Sequence, residues 1–364
     1  MPLKCGIVGL PNVGKSTIFN ALTAAGALAA NYPFATIEPN VGVVTVPDHR
    51  IDQLSELFKP KKTLYTTVNF VDIAGLVKGA NAGEGLGNQF LSHIREVDAI
   101  AQVVRCFDDS DVVHVEGSVD PERDIAIIDT ELVLKDMESL QKRLSQVERT
   151  AKTGDKDAKA ALEIFIKVKK QLDDGKPARQ LGLNDHEQKI IADLFLLTMK
   201  PVLYICNVNE NDVLTGNDYV KKVQEIATKE NARVVVISGK IESEISELPE
   251  AERKGFLESL GLKEPGLHAL IRETYLLLDL VSFLTAGPDE VRAWTIHRGT
   301  KCPQAAGVIH TDFERGFICA DVIWWEDLVK NKTEQACKDK GLLRTEGKEY
   351  VVRDGDVMHF KFNV

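Results

Sequence analysis

From Gly9 to Thr17 the chain reads Gly-Leu-Pro-Asn-Val-Gly-Lys-Ser-Thr, completing the pattern G-x-x-x-x-G-K-[ST] directly after the apolar run 5–8. That combination is a phosphate-binding loop. Gly9 and Gly14 let the backbone turn so that successive amides point at phosphate oxygens. Lys15 reaches the β and γ phosphates, and the Ser16 hydroxyl is a Mg²⁺ ligand. Nucleotide contacts are therefore expected from Asn12, Val13, Gly14, Lys15, Ser16 and Thr17, with Lys15 also catalytic because it meets the phosphate being transferred.

Three further segments follow in the order a Ras-like GTPase needs. The apolar run 68–71 ends in Asp72-Ile73-Ala74-Gly75, a D-x-x-G arrangement in which Asp72 holds Mg²⁺ through water and the Gly75 amide meets the γ-phosphate. Thr36 lies in a loop rich in turn residues (Asn31, Pro33, Pro39, Asn40) and is expected to be the second hydroxyl ligand of the metal. The run 201–206 ends in Asn207-Val208-Asn209-Glu210, where a GTPase carries N-K-x-D. In N-K-x-D the short carboxylate accepts from guanine N1–H and the exocyclic amine, while the lysine stem packs on the base. Glu210 displaces that carboxylate by one methylene and Val208 removes the stem. A site that hydrogen-bonds base edges discriminates through its own unpaired groups, so both changes disfavour guanine and make ATP the expected substrate. Ser238-Gly239-Lys240, after the apolar run 234–237, is the last loop near the base.

These motifs need a scaffold that brings strand ends together. The apolar runs 5–8, 41–46, 68–71, 101–107, 202–206 and 234–237 alternate with helical patterns, which predicts an α/β P-loop NTPase built on a Ras-like G-domain. With N-Y-P-F-A-T-I-E-P-N and D-I-A-G-L-V-K-G-A followed by G-E-G-L-G-N-Q-F-L, the sequence resembles the Obg-like ATPases, the YchF family of the Obg group, over essentially its whole length. The N-V-N-E segment resembles the altered base-recognition loop of that family. The resemblance implies a ribosome-binding ATPase whose nucleotide domain is interrupted by a helical insertion and closed by a TGS domain, a β-grasp module. The ribosome or ribosomal RNA enters as a partner only through it. In related families an asparagine at the position of Asn12 lends an oxygen to a monovalent cation, so K⁺ dependence is a further expectation.

Composition agrees with this reading. At 364 residues and 44% hydrophobic, the chain can bury two or three cores. It has no apolar stretch near the length of a membrane span. Met1-Pro2-Leu3-Lys4 runs straight into the first strand, which predicts no signal peptide and a cytoplasmic protein. Cys5, Cys106 and Cys206 fall in predicted strands, and Cys302, Cys319 and Cys337 are too far apart for a C-x-x-C clamp, so small core thiols are expected. The net charge of −10 argues against broad nucleic-acid binding. Nothing in the residues sets an oligomeric state.

The charge is uneven, however. Residues 135–179 hold twelve Lys and Arg against eight Asp and Glu. Val133, Met137, Leu140, Leu144, Val147 and Ala151, then Ala161, Phe165, Val168 and Leu172, step by threes and fours along two apolar seams. With Thr153-Gly154-Asp155 as the turn, this predicts an antiparallel coiled-coil hairpin whose basic face either meets RNA phosphates or is simply solvated. A third helix is expected from a cap at Asn184 or Asp185 through Leu197, stopped by Pro201. The expected division is 1–134, nucleotide domain; 135–199, insertion; 200–281, nucleotide domain resumed and closed by a helix over 266–280; 282–364, the small α+β domain. Within the last, strands are predicted at 294–296, 306–309, 350–352 and 357–362, with a helical stretch at 312–328.

Catalysis is least legible. The position after D-x-x-G that carries a water-orienting glutamine in Ras-like enzymes is Leu76, which can orient nothing. Among polar candidates, His93 falls on the helical stretch 88–97 and reads as a surface or packing residue. His114 lies in the long acidic loop 108–120 at the edge of the sheet where ligands of α/β proteins bind, and is the candidate for orienting water. Gly75, Gly79, Gly83, Gly85 and Gly87 mark the segment after Asp72 as a switch. Two alternatives stay open at this level: a GTPase of the Obg group, or a nucleotide-gated RNA- or ribosome-binding module whose turnover is incidental.

Overall fold

A computed structural model of the chain describes residues 3–26, 40–74, 86–109 and 114–363. In chain order the elements are β1 (Lys4–Val8), α1 (Lys15–Gly26), β2 (Val41–Thr45), α2 (His49–Phe58), β3 (Lys62–Leu64), β4 (Thr67–Asp72), α3 (Leu86–Glu96), β5 (Ala99–Arg105), α4 (Pro121–Lys152), α5 (Lys156–Asp173), α6 (Asp185–Ile191), β6 (Val202–Asn207), α7 (Asp218–Glu230), β7 (Arg233–Ile237), α8 (Gly239–Glu247), α9 (Glu250–Ser259), α10 (Gly266–Leu277), β8 (Leu280–Ala286), β9 (Glu290–His297), α11 (Cys302–Ile309), α12 (Thr311–Arg315), β10 (Phe317–Trp324), α13 (Trp325–Asn331), α14 (Glu334–Asp339), β11 (Arg344–Glu346) and β12 (Asp356–Phe362). They form two compact units, Met1–Val44 with Asn69–Thr274, and Thr45–Val68 with Tyr275–Val364. Among the described residues no helix is long and apolar enough to cross a membrane.

In the first unit the described strands form a sheet in the order β2-β4-β1-β5-β6-β7, parallel from β4 through β7. Every residue of β5 and β6 is buried, which suits strands covered on both faces and explains their near-continuous apolar sequence. The chain builds outward from β1 to β4 on one side and then to β5 on the other. The crevice beyond the carboxyl ends of β1 and β5 is therefore the switch point where ligands bind in such sheets.

The insertion grows out of a core helix. Asp120 caps α4 by accepting from the Arg123 amide, and Pro121 stands in its first turn. Ile125, Ile128 and Leu132 pack inward, and the same unbroken helix then presents Val133, Leu140 and Leu144 to Phe165, Val168 and Leu172 of α5. The expected boundary at 135 thus falls inside one continuous helix. Arg179 rivets the insertion to the nucleotide core, contacting Asp129 of α4 at 2.9 Å and Glu230 of α7 at 2.7 Å, while the Tyr204 hydroxyl of β6 donates to Glu230 at 3.0 Å. The two carboxylates hold the guanidinium above its ordinary pKa against the opposing effect of burial.

Asn184 and Glu187 form a reciprocal capping box at the start of α6. The helix stops at Ile191, short of the expected Leu197: the chain tightens into a 3-10 turn over Ala192–Leu194 and turns left-handed at Phe195. Beyond that turn the buried Asp136 carboxylate accepts the Leu197 and Thr198 amides, each at 2.8 Å, and the Thr198 hydroxyl at 2.6 Å.

The second unit departs further from expectation. Its described strands form a sheet in the order β11-β10-β12-β8-β9-β3. The 306–309 run, expected as strand, lies in α11, which Pro303 helps to start. The stretch 312–328, expected as helix, is broken into α12, β10 and α13; β10 is drawn into the sheet by antiparallel pairing with β12. Residues 350–352 contribute a single bridge, Lys301 with Val351. Residues 45–68, assigned by sequence to the nucleotide domain, supply this unit with β3, parallel to β9, and with α2, whose Ile51 and Leu54 are fully buried against Leu284, Val291 and Leu328.

In the first unit the Glu242 side chain of α8 accepts the Gly266 amide at 2.7 Å, capping α10, and among the described residues its second oxygen has no partner. Burial pushes its pKa from 4.5 up to about 7, against the lowering effect of the Gly266 and Leu267 amides. Because the folded value lies above the unfolded one, this stabilisation is complete below pH 4.5 and is lost as pH rises through 7. In urea titrations across pH 4.5–8, Glu242→Gln should remove a decline of up to about 3 kcal/mol that the parent chain shows. Parallel pH profiles for the two chains would refute this.

Candidate nucleotide-binding and catalytic site

The phosphate loop leaves β1 in a space without room for side chains at its glycines. A Cβ on Gly9 would lie 2.9 Å from Val13, and one on Gly14 would lie 2.2 Å from the Asn207 amide nitrogen. Gly14 has φ +93°, a conformation natural to glycine. Asn12 also has positive φ, at 62°, and is exposed at the loop's crest, whereas Val13 is buried beneath it. Lys15 opens α1, with Ser16 and Thr17 exposed on its first turn. The Lys15 ammonium contacts the Asp72 carboxylate, which sits at the end of β4 because Asp72 is in register with Ile7 of β1.

Asn207 joins the two halves of the site. Its amide nitrogen donates to the Val13 carbonyl at 2.9 Å, and its amide oxygen accepts from the Gly239 N–H at 2.9 Å. One buried side chain thereby fixes the spacing between the phosphate loop and the loop Ser238-Gly239-Lys240. Val208 is buried, its N–H bonded to the Ile237 carbonyl at 2.9 Å. Glu210 pairs with Lys240 at 2.6 Å, both exposed, and the carboxylate holds the ammonium above its ordinary pKa. Asn12, Gly14, Thr17, Asn207, Val208, Glu210, Ser238 and Lys240 line one cavity of about 640 Å³.

Phe107, on the same cavity wall, was not singled out from the sequence. It is held by Arg105, whose guanidinium stacks on its ring at 4.6 Å and donates to the carbonyls of Phe107 and Asp109 at 3.1 and 3.2 Å. Arg105 is almost fully buried. The signal lies in the sequence: an arginine closing a mostly apolar strand needs a local reason.

His114 is buried, with both ring nitrogens engaged: Nε2 lies 2.8 Å from an Asp124 carboxylate oxygen, and Nδ1 accepts the Glu116 N–H at 3.1 Å. An N–H only donates, so Nδ1 is the acceptor and the neutral ring carries its proton on Nε2, directed at Asp124. His93 is exposed on α3. Thr36, Gly75, Leu76, Gly79, Gly83 and Gly85 lie outside the described residues.

Comparison with known proteins places this geometry among relatives. Residues 4–143 match a family model described as 50S ribosome-binding GTPase, and residues 280–363 match the YchF-GTPase C-terminal model, described as a protein of unknown function. The chain is 55% identical to proteins named ribosome-binding ATPase YchF from Bacillus subtilis (strain 168) and Escherichia coli O157:H7, covering 100% of each chain in both cases. A solved Schizosaccharomyces pombe structure described as YchF GTPase is 44% identical, with a TM-score of 0.89, covering 99% of this chain and 97% of that one.

Asn207→Asp keeps the acceptor for the Gly239 amide and loses the donor to Val13. Nucleotide affinity should fall on the order of tenfold, read by titration of a fluorescent nucleotide, since a buried carbonyl is left unpaired. An unchanged affinity would mean that the phosphate loop holds its shape without this bond.

Proposed function

The chain belongs to the YchF family, and from that premise we propose that it is a Mg²⁺-dependent ATPase that associates with the ribosome. The observation that carries the choice of ATP is the Glu210–Lys240 pair beside a buried Val208. Guanine recognition needs a free short carboxylate facing N1–H and the C2 amine. Here the carboxylate is longer and neutralised by a lysine. Adenine has an acceptor at N1 and no amine at C2, so it loses nothing at this wall. The names of the relatives differ on this point, ATPase for the bacterial proteins and GTPase for the fission yeast structure. In matched competition titrations ATP should bind at least tenfold tighter than GTP, and Glu210→Asp should narrow the gap. Equal or tighter GTP binding would return the chain to the GTPases.

Phosphate binding rests on the amides from Val13 to Thr17 at the start of α1 and on Lys15, which exchanges Asp72 for the β and γ phosphates. The Ser16 hydroxyl and Asp72 carboxylate are hard oxygen donors of the kind Mg²⁺ takes when phosphates and water complete its shell, with Thr36 as the proposed further ligand. When bound, the ion supplies charge neutralisation at the β and γ oxygens. Gly75 and the glycines after it are the proposed switch, and Asn12, at the loop's crest, is the proposed K⁺ contact.

For the water we propose His114. The Asp124 carboxylate holds the ring through Nε2–H, as carboxylates do for general-base histidines, and leaves Nδ1 as the accepting nitrogen. Nδ1 then exchanges the Glu116 amide for a water proton. His114→Ala should lower kcat at saturating ATP by on the order of a hundredfold with ATP affinity little changed. Unchanged turnover would make the residue a packing histidine.

The cytoplasm as its compartment and residues 282–364 as a TGS module belong to the same proposal, on the resemblance to the YchF family. Slow hydrolysis then ends a ribosome-bound state that ATP begins.

A further inference from the structure

Leu194, Phe195 and Leu196 follow one another at the end of the insertion, 7%, 71% and 4% exposed. Both leucines are anchored in the insertion's apolar cluster, so the Phe195 ring is held out in water by its neighbours. Its backbone is left-handed, φ 48° and ψ 46°, which a bulky L residue adopts only at a cost. Burial of the ring does not offset that cost in the chain by itself.

Its chain neighbours Asp193 and Leu194 face Ser139, Lys142, Arg143 and Gln146 of α4 across a shallow cavity of about 260 Å³. Arg143 donates to the Gln146 side-chain oxygen at 2.8 Å. Among the described residues no carboxylate forms an ion pair with Lys142 or Arg143, in contrast to Lys135, which pairs with Glu138 one turn earlier.

An exposed aromatic residue one position along the chain from a cavity that also holds two cations without carboxylate partners is the composition of a single-stranded nucleic-acid site, where bases stack and cations take the phosphates. Asp193 and Gln146 add acceptors for a ribose hydroxyl or a base amine. The local excess of twelve basic over eight acidic residues across 135–179, in a chain of net charge −10, directs a polyanion to this region. We propose that this face of the insertion binds single-stranded RNA, Phe195 stacking on an unpaired base and Lys142 and Arg143 meeting the adjacent phosphates. The inference rests on the ribosome association proposed above and names the surface that carries it.

The test uses the full-length chain, Phe195→Ala, Phe195→Gly (which also relieves the left-handed backbone) and a Lys142→Gln/Arg143→Gln double variant. Binding is read by anisotropy with a short unstructured RNA and by co-sedimentation with purified ribosomes in ATP, both over a range of salt. The Phe195 variants should weaken RNA binding roughly tenfold or more. The double variant should reduce the slope of log K against log salt by about 1.4, the share of two single-strand phosphates. Basal ATP turnover should match the parent. If the parent sediments with ribosomes and every variant does so equally, the surface is wrong and the ribosome reading stands. If the parent fails to sediment, the ribosome reading falls and the RNA titration decides the surface alone. Loss of sedimentation by Phe195→Ala with no RNA binding by the parent would assign the ring to a protein contact and overturn the proposal.

Discussion

Asn207 is the side chain on which the nucleotide site turns. Phosphate loops and base-recognition loops lie far apart in sequence, and each is a short irregular segment with little burial of its own. Two hydrogen bonds from one buried amide, to the Val13 carbonyl and from the Gly239 N–H, convert them into one surface. Buried amides are costly unless fully paired, so the geometry that satisfies Asn207 also sets the spacing of the two loops. Gly14 is glycine for the same reason: its missing Cβ is the space the Asn207 amide occupies.

The insertion uses a different device. Helix α4 begins in the core and ends in the hairpin without a break, and Arg179, Asp129, Glu230 and Tyr204 gather polar groups where the two regions meet. Removing one partner from such a buried set leaves an uncompensated charge, so the junction is costly to break whatever its net contribution to stability. Arg105 does comparable work beside the pocket, pinning the Phe107 to Asp109 backbone from within the sheet.

Several local readings failed for one shared cause. The 306–309 run is apolar and short, which periodicity alone cannot assign, and Pro303 with the sheet beneath it decided for helix. The 317–324 segment became a strand because β12 offers it a ladder, a partner some forty residues away. Residues 45–68 joined the second unit because α2 and β3 find their apolar neighbours and pairing edge there. Likewise α6 ended early, where the chain turns left-handed at Phe195 and Leu194 and Leu196 enter the insertion's apolar cluster.

What sequence alone determined about this protein was local and chemical. The phosphate loop, the Asp72 position, the departure of Asn207 to Glu210 from the N-K-x-D pattern and the seams of the hairpin all follow from residue type at short spacing. Short-range geometry is dictated by the chain itself. The three-dimensional packing chose which distant groups meet: Glu210 with Lys240, His114 with Asp124, Arg105 over Phe107, and Asp193 and Leu194 with Lys142 and Arg143. His114 and Asp124 lie ten residues apart, with the capped start of α4 between them. No periodicity specifies that a ring nitrogen will face that carboxylate. Packing, which sums many weak contacts across the whole chain, makes that choice.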